Sequence, residues 1–96
     1  MLIKIWTFVV RSLGRWRNVD GDEAIQDYHG PLGIHECYEK TKSLGYKVFA
    51  LNRLLGKDCY TSSNAGNTHK KYGPSDTLSE NHIVVFEIQN GNPLNS

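Results

Sequence analysis

The chain has 96 residues, with 11 lysines and arginines against 10 aspartates and glutamates, so its formal net charge is +1. A chain of this length forms one domain with a small core, and its scattered basic residues argue against nucleic acid as a partner. The two cysteines form no CxxC pair and the four histidines lack zinc-ligand spacing, so we predict no metal site and no cofactor.

The N-terminal segment, residues 1–10, is apolar and reads MLIKIWTFVV. It is shorter than the roughly 20 apolar residues that a membrane-spanning helix needs, so we expect no membrane insertion. It also lacks the apolar run and cleavage site of a signal peptide, which in a secreted protein would have been removed or would lie upstream. Its alternating β-branched and aromatic residues predict a β-strand. Residues 18–22 predict a turn and residues 24–32 an irregular stretch.

The central segment predicts a helix from residue 32 or 33 to residue 44, followed by a β-hairpin. Apolar or small side chains recur at helical spacing along one face of this segment, at Ile34, Cys37, Tyr38, Thr41 and Leu44. Gly45 is placed to end the helix in a left-handed conformation. Residues 46–52 then predict a buried central strand, residues 53–58 a turn and residues 59–62 the returning strand.

The two cysteines lie on the predicted helix and on the returning strand. A helix that packs on the hairpin can bring them together, so we expect a Cys37–Cys59 disulfide. It would close a loop of about 22 residues and contribute about 3 kcal/mol to stability in the chain-entropy description. Two reduced thiols buried in the core are the main alternative. A nucleophilic cysteine paired with His29, His35 or His69 is less favoured, because a thiol on an apolar helix face packs rather than reacts.

The C-terminal part predicts a polar loop at residues 62–68, a short extended piece at 69–72 and a last strand at 82–89. We assign residues 1–89 to a single module and residues 90–96 to a tail or linker. The predicted fold class is α+β, with one helix packed on a small, mostly antiparallel sheet in which the N- and C-terminal strands are adjacent. The expected core comprises Ile5, Ile34, Cys37, Tyr38, Val48, Ala50, Cys59, Val84, Phe86 and Ile88.

Aromatic residues beside polar side chains are the main candidates for a binding site, because rings offer flat apolar surfaces and amides satisfy hydroxyl groups. The candidate ligand-binding residues are Trp16, Tyr60, Asn64, Asn67, His69 and Tyr72. The oxygen-rich residues 18–23 lack the order of a calcium loop and predict a solvated turn instead. Lys70 and Lys71 could serve a sulfated glycan, although adjacent lysines are usually only solvated charge. We see no catalytic arrangement and expect no enzyme.

The helix and hairpin resemble the WSC domain and related PAN/apple-like modules, and in particular the lectin-type WSC-like modules of invertebrate extracellular proteins. In these small extracellular domains a disulfide links a helix to a sheet. The resemblance is carried by ECY at residues 36–38, GYKVFAL at 45–51 and DCYTS at 58–62. Weaker matches are LGRWRN at 13–18, THKKYG at 68–73 and VFEI at 85–88.

The resemblance implies a secreted, non-enzymatic binding module whose favoured partner is a glycan or glycoprotein. The alternative is a structural or assembly module that binds protein or associates with itself through edge strands. The chain departs from these modules in two ways, in its disulfides and in its ligand surface. Arg15 stands where such modules carry their first cysteine, and residues 75–79 contain no partner cysteine. The glycine-rich stretch before the last strand, near residues 75–81, is also shortened.

Overall fold

The computed structural model describes residues 2–5, 8–19, 21–52, 58–63, 68–75 and 81–89. Within these residues the chain forms six strands and one helix. In chain order they are β1 (Leu2–Ile5), β2 (Phe8–Arg17), β3 (Asp27–Pro31), α1 (Ile34–Ser43), β4 (Val48–Asn52), β5 (Asp58–Thr61) and β6 (His82–Ile88). The strands form one antiparallel sheet in the order β1-β2-β6-β4-β5-β3. The predicted α+β fold is confirmed.

Helix α1 ends as the sequence predicts, at a glycine. Gly45 adopts a φ of +76°, which a residue with a side chain would rarely adopt. Its N–H donates to the carbonyl of Lys42 at 3.0 Å, and the N–H of Tyr46 donates to the carbonyl of Thr41 at 3.1 Å. These two bonds form a Schellman motif, which satisfies carbonyls that the helix end leaves without a partner.

The sheet buries apolar side chains on both faces. On the face that α1 covers, which we call the helix face, the buried residues are Val10, Cys37, Tyr38, Phe49, Leu51, Cys59 and Phe86. On the opposite face, which we call the loop face, they are Ala24, Ile25, Val48, Ala50, Tyr60, Ile83 and Val85. Strand β4 lies between β5 and β6 and contributes to both clusters, because successive side chains of a strand point to opposite faces. The predicted central position of this strand is confirmed.

The predicted disulfide joins Cys37 of α1 to Cys59 of β5. Their Cα atoms are 5.5 Å apart and both side chains are fully buried in the helix-face cluster. The alternatives of two reduced thiols or of a nucleophilic cysteine are therefore excluded. The bond links the helix to the sheet at the point where the two pack together.

The N-terminal region differs from the prediction of a single strand within residues 1–10. The structure has two antiparallel strands, β1 and β2, with Ile5 opposite Phe8. Strand β2 continues to Arg17 and pairs with β6, with a register shift between Ser12 and Gly14. Residues 12–17 have weak β-propensity of their own, and pairing with β6 overrides it. The predicted adjacency of the N- and C-terminal strands thus holds for β2, while β1 lies at the sheet edge.

Two further segments were predicted wrongly. Residues 27–31, expected to be irregular, form the edge strand β3, whose pairing with β5 is irregular between Tyr28 and Pro31. Residues 69–72, expected to be extended, form turns. In these turns the N–H of Lys71 donates to the carbonyl of Thr68 at 3.1 Å. The predicted turn at residues 53–58 lies outside the described residues except for Asp58, which begins β5, and the predicted tail at 90–96 also lies outside them.

Most of the predicted core is confirmed, but the loop face was underestimated. Ile34, Val84 and Ile88 are partly buried against the helix-face cluster, and the side chain of Ile5 lies outside the described residues. Ile25, in the stretch predicted to be irregular, is only 1% exposed. The remaining expected residues are buried, namely Cys37, Tyr38, Val48, Ala50, Cys59 and Phe86. Among the described residues, no helix has the length and hydropathy needed to cross a membrane.

We predict that removing the disulfide in the double variant Cys37→Ala/Cys59→Ala lowers the free energy of unfolding by about 3 kcal/mol, since the 22-residue loop is no longer closed in the unfolded chain. Urea denaturation followed by circular dichroism measures the change. Ser43→Ala, at an exposed position on the same helix, is the control and should change little. Equal stability of the double variant and the parent would contradict a stabilising role for the bond.

Candidate functional site

Two segments cover one end of the loop face, residues 18–25 and residues 68–75. Ala24 and Ile25 of the first segment belong to the loop-face cluster, and Trp16 and Tyr72 pack against it. The fold of the first segment is fixed locally. The Oδ1 atom of Asn18 accepts a hydrogen bond from the N–H of Ala24 at 2.9 Å, and Glu23 accepts one from the N–H of Gly21 at 2.7 Å. These oxygens therefore hold the loop that closes over the sheet.

The second segment is held against β2 by backbone hydrogen bonds. The N–H of Arg17 donates to the carbonyl of Gly73 at 2.9 Å, and the N–H of Ser75 donates to the carbonyl of Arg15 at 3.1 Å. Trp16 and Pro74 form an isolated antiparallel bridge between them. Because β6 pairs with the other side of β2, this segment extends the sheet locally and brings Tyr72 next to the loop face.

Trp16 is half-buried and fixed in orientation. Its Nε1–H donates to the carbonyl of Leu13 at 2.8 Å. Its ring meets that of His69 edge to face, with centroids 5.0 Å apart and planes at 78°. His69 is only 3% exposed, so its ring mainly supports Trp16 rather than facing solvent. The Trp16 ring is thus preorganised as a partly exposed apolar surface.

Asp22 joins the two covering segments. The hydroxyl of Tyr72 lies 2.7 Å from both the carbonyl oxygen and the carboxylate Oδ2 of Asp22 and donates to one at a time. The Nζ of Lys71 donates to Oδ1 of the same carboxylate at 3.1 Å and lies 5.2 Å from the centroid of the Tyr72 ring. We call Trp16, Asp22, His69, Lys71 and Tyr72 the Tyr72 cluster.

Hydrogen bonding sets the protonation states in this cluster. The hydrogen bond from Tyr72, followed by the hydrogen bond and charge of Lys71, lowers the pKa of Asp22 below 3.8. The hydrogen bond that Tyr72 donates to Asp22 is the largest cause that raises the pKa of Tyr72 above 10.0. The hydrogen bond that Lys71 donates to Asp22 is likewise the largest cause that raises the pKa of Lys71 above 10.5. At neutral pH the cluster therefore presents a carboxylate, an ammonium and a neutral phenol, which together can donate and accept hydrogen bonds.

A second group of side chains lies on the loop face at its β3 edge. Tyr28 is opposite Tyr60 in the strand pairing, and their ring centroids are 5.2 Å apart. The hydroxyl of Tyr28 donates to Oδ1 of Asp58 at 3.3 Å. Tyr28 is 55% exposed, whereas Tyr60 is 8% exposed and belongs to the loop-face cluster. We call Glu23, Tyr28, Asn52, Asp58 and Tyr60 the Tyr28 group.

The structure divides the predicted site residues between these places. Trp16 contacts His69, and Trp16 and Tyr72 pack against the same loop-face cluster, while Tyr60 lies in the Tyr28 group, mostly buried. Asn64 and Asn67 lie outside the described residues. The sequence prediction missed Asp22 and Lys71 as partners, because the contacts of Asp22 with Lys71 and Tyr72 span 49 and 50 residues of chain.

Metal binding has no support in the part of the chain that the structure describes, where no group of three or more His, Cys, Asp or Glu residues is placed to hold an ion. Asp20, one of the oxygen-bearing residues of the 18–23 loop, lies outside the described residues. Comparisons with protein-family models, with curated proteins and with solved structures give no match.

The Asp22 contacts can be tested by titration. We predict that the pKa of Asp22 lies below 3.8 in the parent and rises in Tyr72→Phe, because the largest cause of the lowering is removed. Since the folded state lowers this pKa, the contact stabilises the fold above the unfolded pKa and its contribution is lost as the pH falls through the folded value. Carboxyl carbon chemical shifts in NMR report the pKa.

Two lysine variants sharpen this test. Lys71→Ala should also raise the pKa of Asp22, whereas Lys70→Ala, which removes the adjacent charge, should leave it nearly unchanged. An Asp22 carboxyl that titrates identically in the parent, in Tyr72→Phe and in Lys71→Ala would show that these contacts do not persist in solution.

Proposed function

We propose that this chain is a non-enzymatic, extracellular binding module with a carbohydrate ligand. The observation that carries the proposal is the convergence of Trp16 and Tyr72, two half-buried aromatic residues, at one end of the loop face. They are 56 residues apart in the chain (72 − 16). Aromatic rings surrounded by charged and hydrogen-bonding groups match the two kinds of surface on a sugar, apolar C–H faces and hydroxyl groups.

The polar groups beside Tyr72 favour a hydroxyl-rich ligand. The Asp22 carboxylate can accept hydrogen bonds and the Lys71 ammonium can donate them. Both side chains are exposed, and they already hold each other at 3.1 Å. A ligand hydroxyl placed near them would therefore meet an acceptor and a donor that need little rearrangement, which reduces the entropic cost of binding.

The disulfide supports the extracellular part of the proposal. Stable disulfides form and persist mainly in oxidising compartments, such as the exterior of the cell. Cys37 and Cys59 are fully buried and joined within the core, so their role is structural. Because neither cysteine is a thiol, the pair supplies no nucleophile.

One backbone contact at Arg15 is relevant to the proposed resemblance to WSC and PAN/apple-like modules. The resemblance places a lost disulfide between Arg15 and residues 75–79. In the structure the N–H of Ser75 donates to the carbonyl of Arg15 at 3.1 Å, so Arg15 and Ser75 are neighbours, while residues 76–79 lie outside the described residues. Here backbone hydrogen bonding and the Trp16–Pro74 bridge hold the segment that carries Tyr72.

A second function, assembly through a sheet edge, is favoured by one specific observation. Strand β1 lies at the end of the sheet and pairs, among the described residues, only with β2. Its sequence LIKI lacks proline, which commonly protects edges, and Lys4 is its only charged residue. The opposite edge strand, β3, contains both Gly30, with φ +92°, and Pro31. Strand β1 is therefore the better edge for pairing with another chain.

The carbohydrate proposal is tested by a glycan array probed with the folded protein, with calcium and again with a chelator. We predict reproducible binding to a related set of glycans, weakened about tenfold in Tyr72→Ala through loss of ring stacking and of the hydroxyl at the site. Tyr46→Ala, at a half-buried tyrosine beyond the end of α1, is the matched control and should bind as the parent does.

Two results would count against this proposal. A blank array from protein shown to be folded would reject carbohydrate as the ligand. Equal affinity of the parent and Tyr72→Ala would reject the Tyr72 cluster as the site. Loss of binding on addition of chelator would assign a metal to the interaction.

The assembly function is tested by sedimentation equilibrium over a hundredfold range of protein concentration. We predict that, if β1 pairs between copies, the parent associates reversibly and Ile3→Lys weakens the association, because lysine on an edge strand opposes pairing. Gln26→Lys adds the same charge at an exposed position outside β1 and should associate like the parent. A strict monomer at every concentration would rule out self-assembly.

A further inference from the structure

The Tyr28 group combines side chains from three adjacent strands on one face. Ala50 and Tyr60 are directly opposite each other, and both belong to the loop-face cluster. Asn52 comes two residues after Ala50 in β4, and Asp58 comes two residues before Tyr60 in β5. Asn52 and Asp58 are also directly opposite each other. Because side chains two residues apart on a strand point to the same face, Asn52 and Asp58 project from the loop face beside Tyr60.

The aromatic part of this group is open to solvent. Tyr28 is 55% exposed, although its ring packs 5.2 Å from that of Tyr60. Its hydroxyl is directed to the Asp58 carboxylate at 3.3 Å, which fixes the ring beside a negative charge. An exposed aromatic face next to a carboxylate attracts a cation through both the ring quadrupole and the charge.

The charges that act on the two tyrosines are negative. Desolvation and then the charge of Asp58 raise the pKa of Tyr28. Burial is the main cause of the raised pKa of Tyr60, opposed by a hydrogen bond from Asn52, and the charges of Glu23 and Asp58 raise it further. Among the described residues, no lysine or arginine contributes to either shift. The side-chain charges that act on the two rings among the described residues are therefore those of Asp58 and Glu23.

A buried acceptor lies in the same group. Asn52 is 4% exposed, and its Oδ1 atom has no hydrogen-bond partner among the described residues. A buried polar atom without a partner is costly, so such atoms are rare and often mark a place that a ligand or water completes. This observation is independent of the carboxylates and calls for a hydrogen-bond donor, either a ligand group or a water that a ligand holds in place.

We propose that Glu23, Tyr28, Asn52, Asp58 and Tyr60 form a second binding site, which holds the protonated amine of an amino sugar. The ammonium contacts the exposed Tyr28 ring and donates charge-assisted hydrogen bonds to Asp58. The remaining N–H or a sugar hydroxyl completes the unpaired Oδ1 of Asn52 through a bridging water. The positive charge follows from the residues of the group, whereas the choice of a sugar as its carrier rests on the carbohydrate-binding function proposed above.

Calorimetric titration with two matched ligands, at a mildly acidic pH where sugar amines are protonated, tests the site. One ligand is a tetrasaccharide of glucosamine and the other its fully N-acetylated form, which has the same rings and linkages but no charged amine. We predict about fivefold tighter binding of the amine form, the size of a partly exposed cation–π contact. Asp58→Asn should remove this preference.

Asp27→Asn is the matched control for charge. Asp27 is an exposed acid on the same strand as Tyr28. It is opposite Thr61 in the sheet, and Thr61 is opposite Phe49, which belongs to the helix-face cluster. It therefore lies on the other face, and Asp27→Asn should keep the preference for the amine. Tyr28→Leu, at an exposed position, provides a second variant if Asp58→Asn does not fold, and it should also lose the preference.

The outcomes separate the site from the general function. Equal affinity for both tetrasaccharides, or the same loss in Asp27→Asn as in Asp58→Asn, would overturn the ammonium site while leaving carbohydrate binding intact. If neither tetrasaccharide binds while other glycans bind on the array, the ammonium site would again be overturned and carbohydrate binding would remain. Binding of lysine methyl ester but of no sugar, abolished by Asp58→Asn, would overturn the sugar as the carrier and the carbohydrate function together.

Discussion

The need to cover both faces of β4 and β6 determines how the rest of the chain is arranged. Phe49, Leu51 and Phe86 point to one face, while Ala50, Ile83 and Val85 point to the other. The described part of the chain contains one helix, and it covers the first face. The second face is closed by segments without regular structure, whose backbone groups need partners of their own. Asn18 and the edge of β2 supply partners at two places.

Because a helix covers one face of the sheet and loops cover the other, both candidate sites lie on the loop face. A helix covers a sheet with a continuous apolar stripe and leaves little room for polar groups. Loops close the other face with a few apolar side chains, such as Ile25, and bring polar residues beside them. The two sites differ in charge. Asp22 is balanced by Lys71, whereas Asp58 and Glu23 act on the tyrosines without such a partner among the described residues.

Sequence patterns within a short segment predicted the helix and the strands that depend mainly on neighbouring residues. The apolar spacing of α1, the glycine at its end and the alternation in β6 specified those elements and the disulfide between α1 and β5. The second half of β2 could not be predicted, because residues 12–17 become a strand only through pairing with β6, about 70 residues later. The partners of Asp22 were missed for the same reason. Burial of Tyr60 and His69 likewise depends on segments that are distant in sequence.

The pairing of β2 with β6 also determines the order in which the module can form. The hairpin of β4 and β5 and the Cys37–Cys59 bond close short loops, of which the bond spans 22 residues. Pairing of Arg17 with His82 closes a loop about three times longer, which slows its formation because loop-closure entropy opposes it. On a growing chain, the residues of the helix and its hairpin therefore emerge before residue 82 does. The loop face, which needs the pairing of β2 with β6, is completed last.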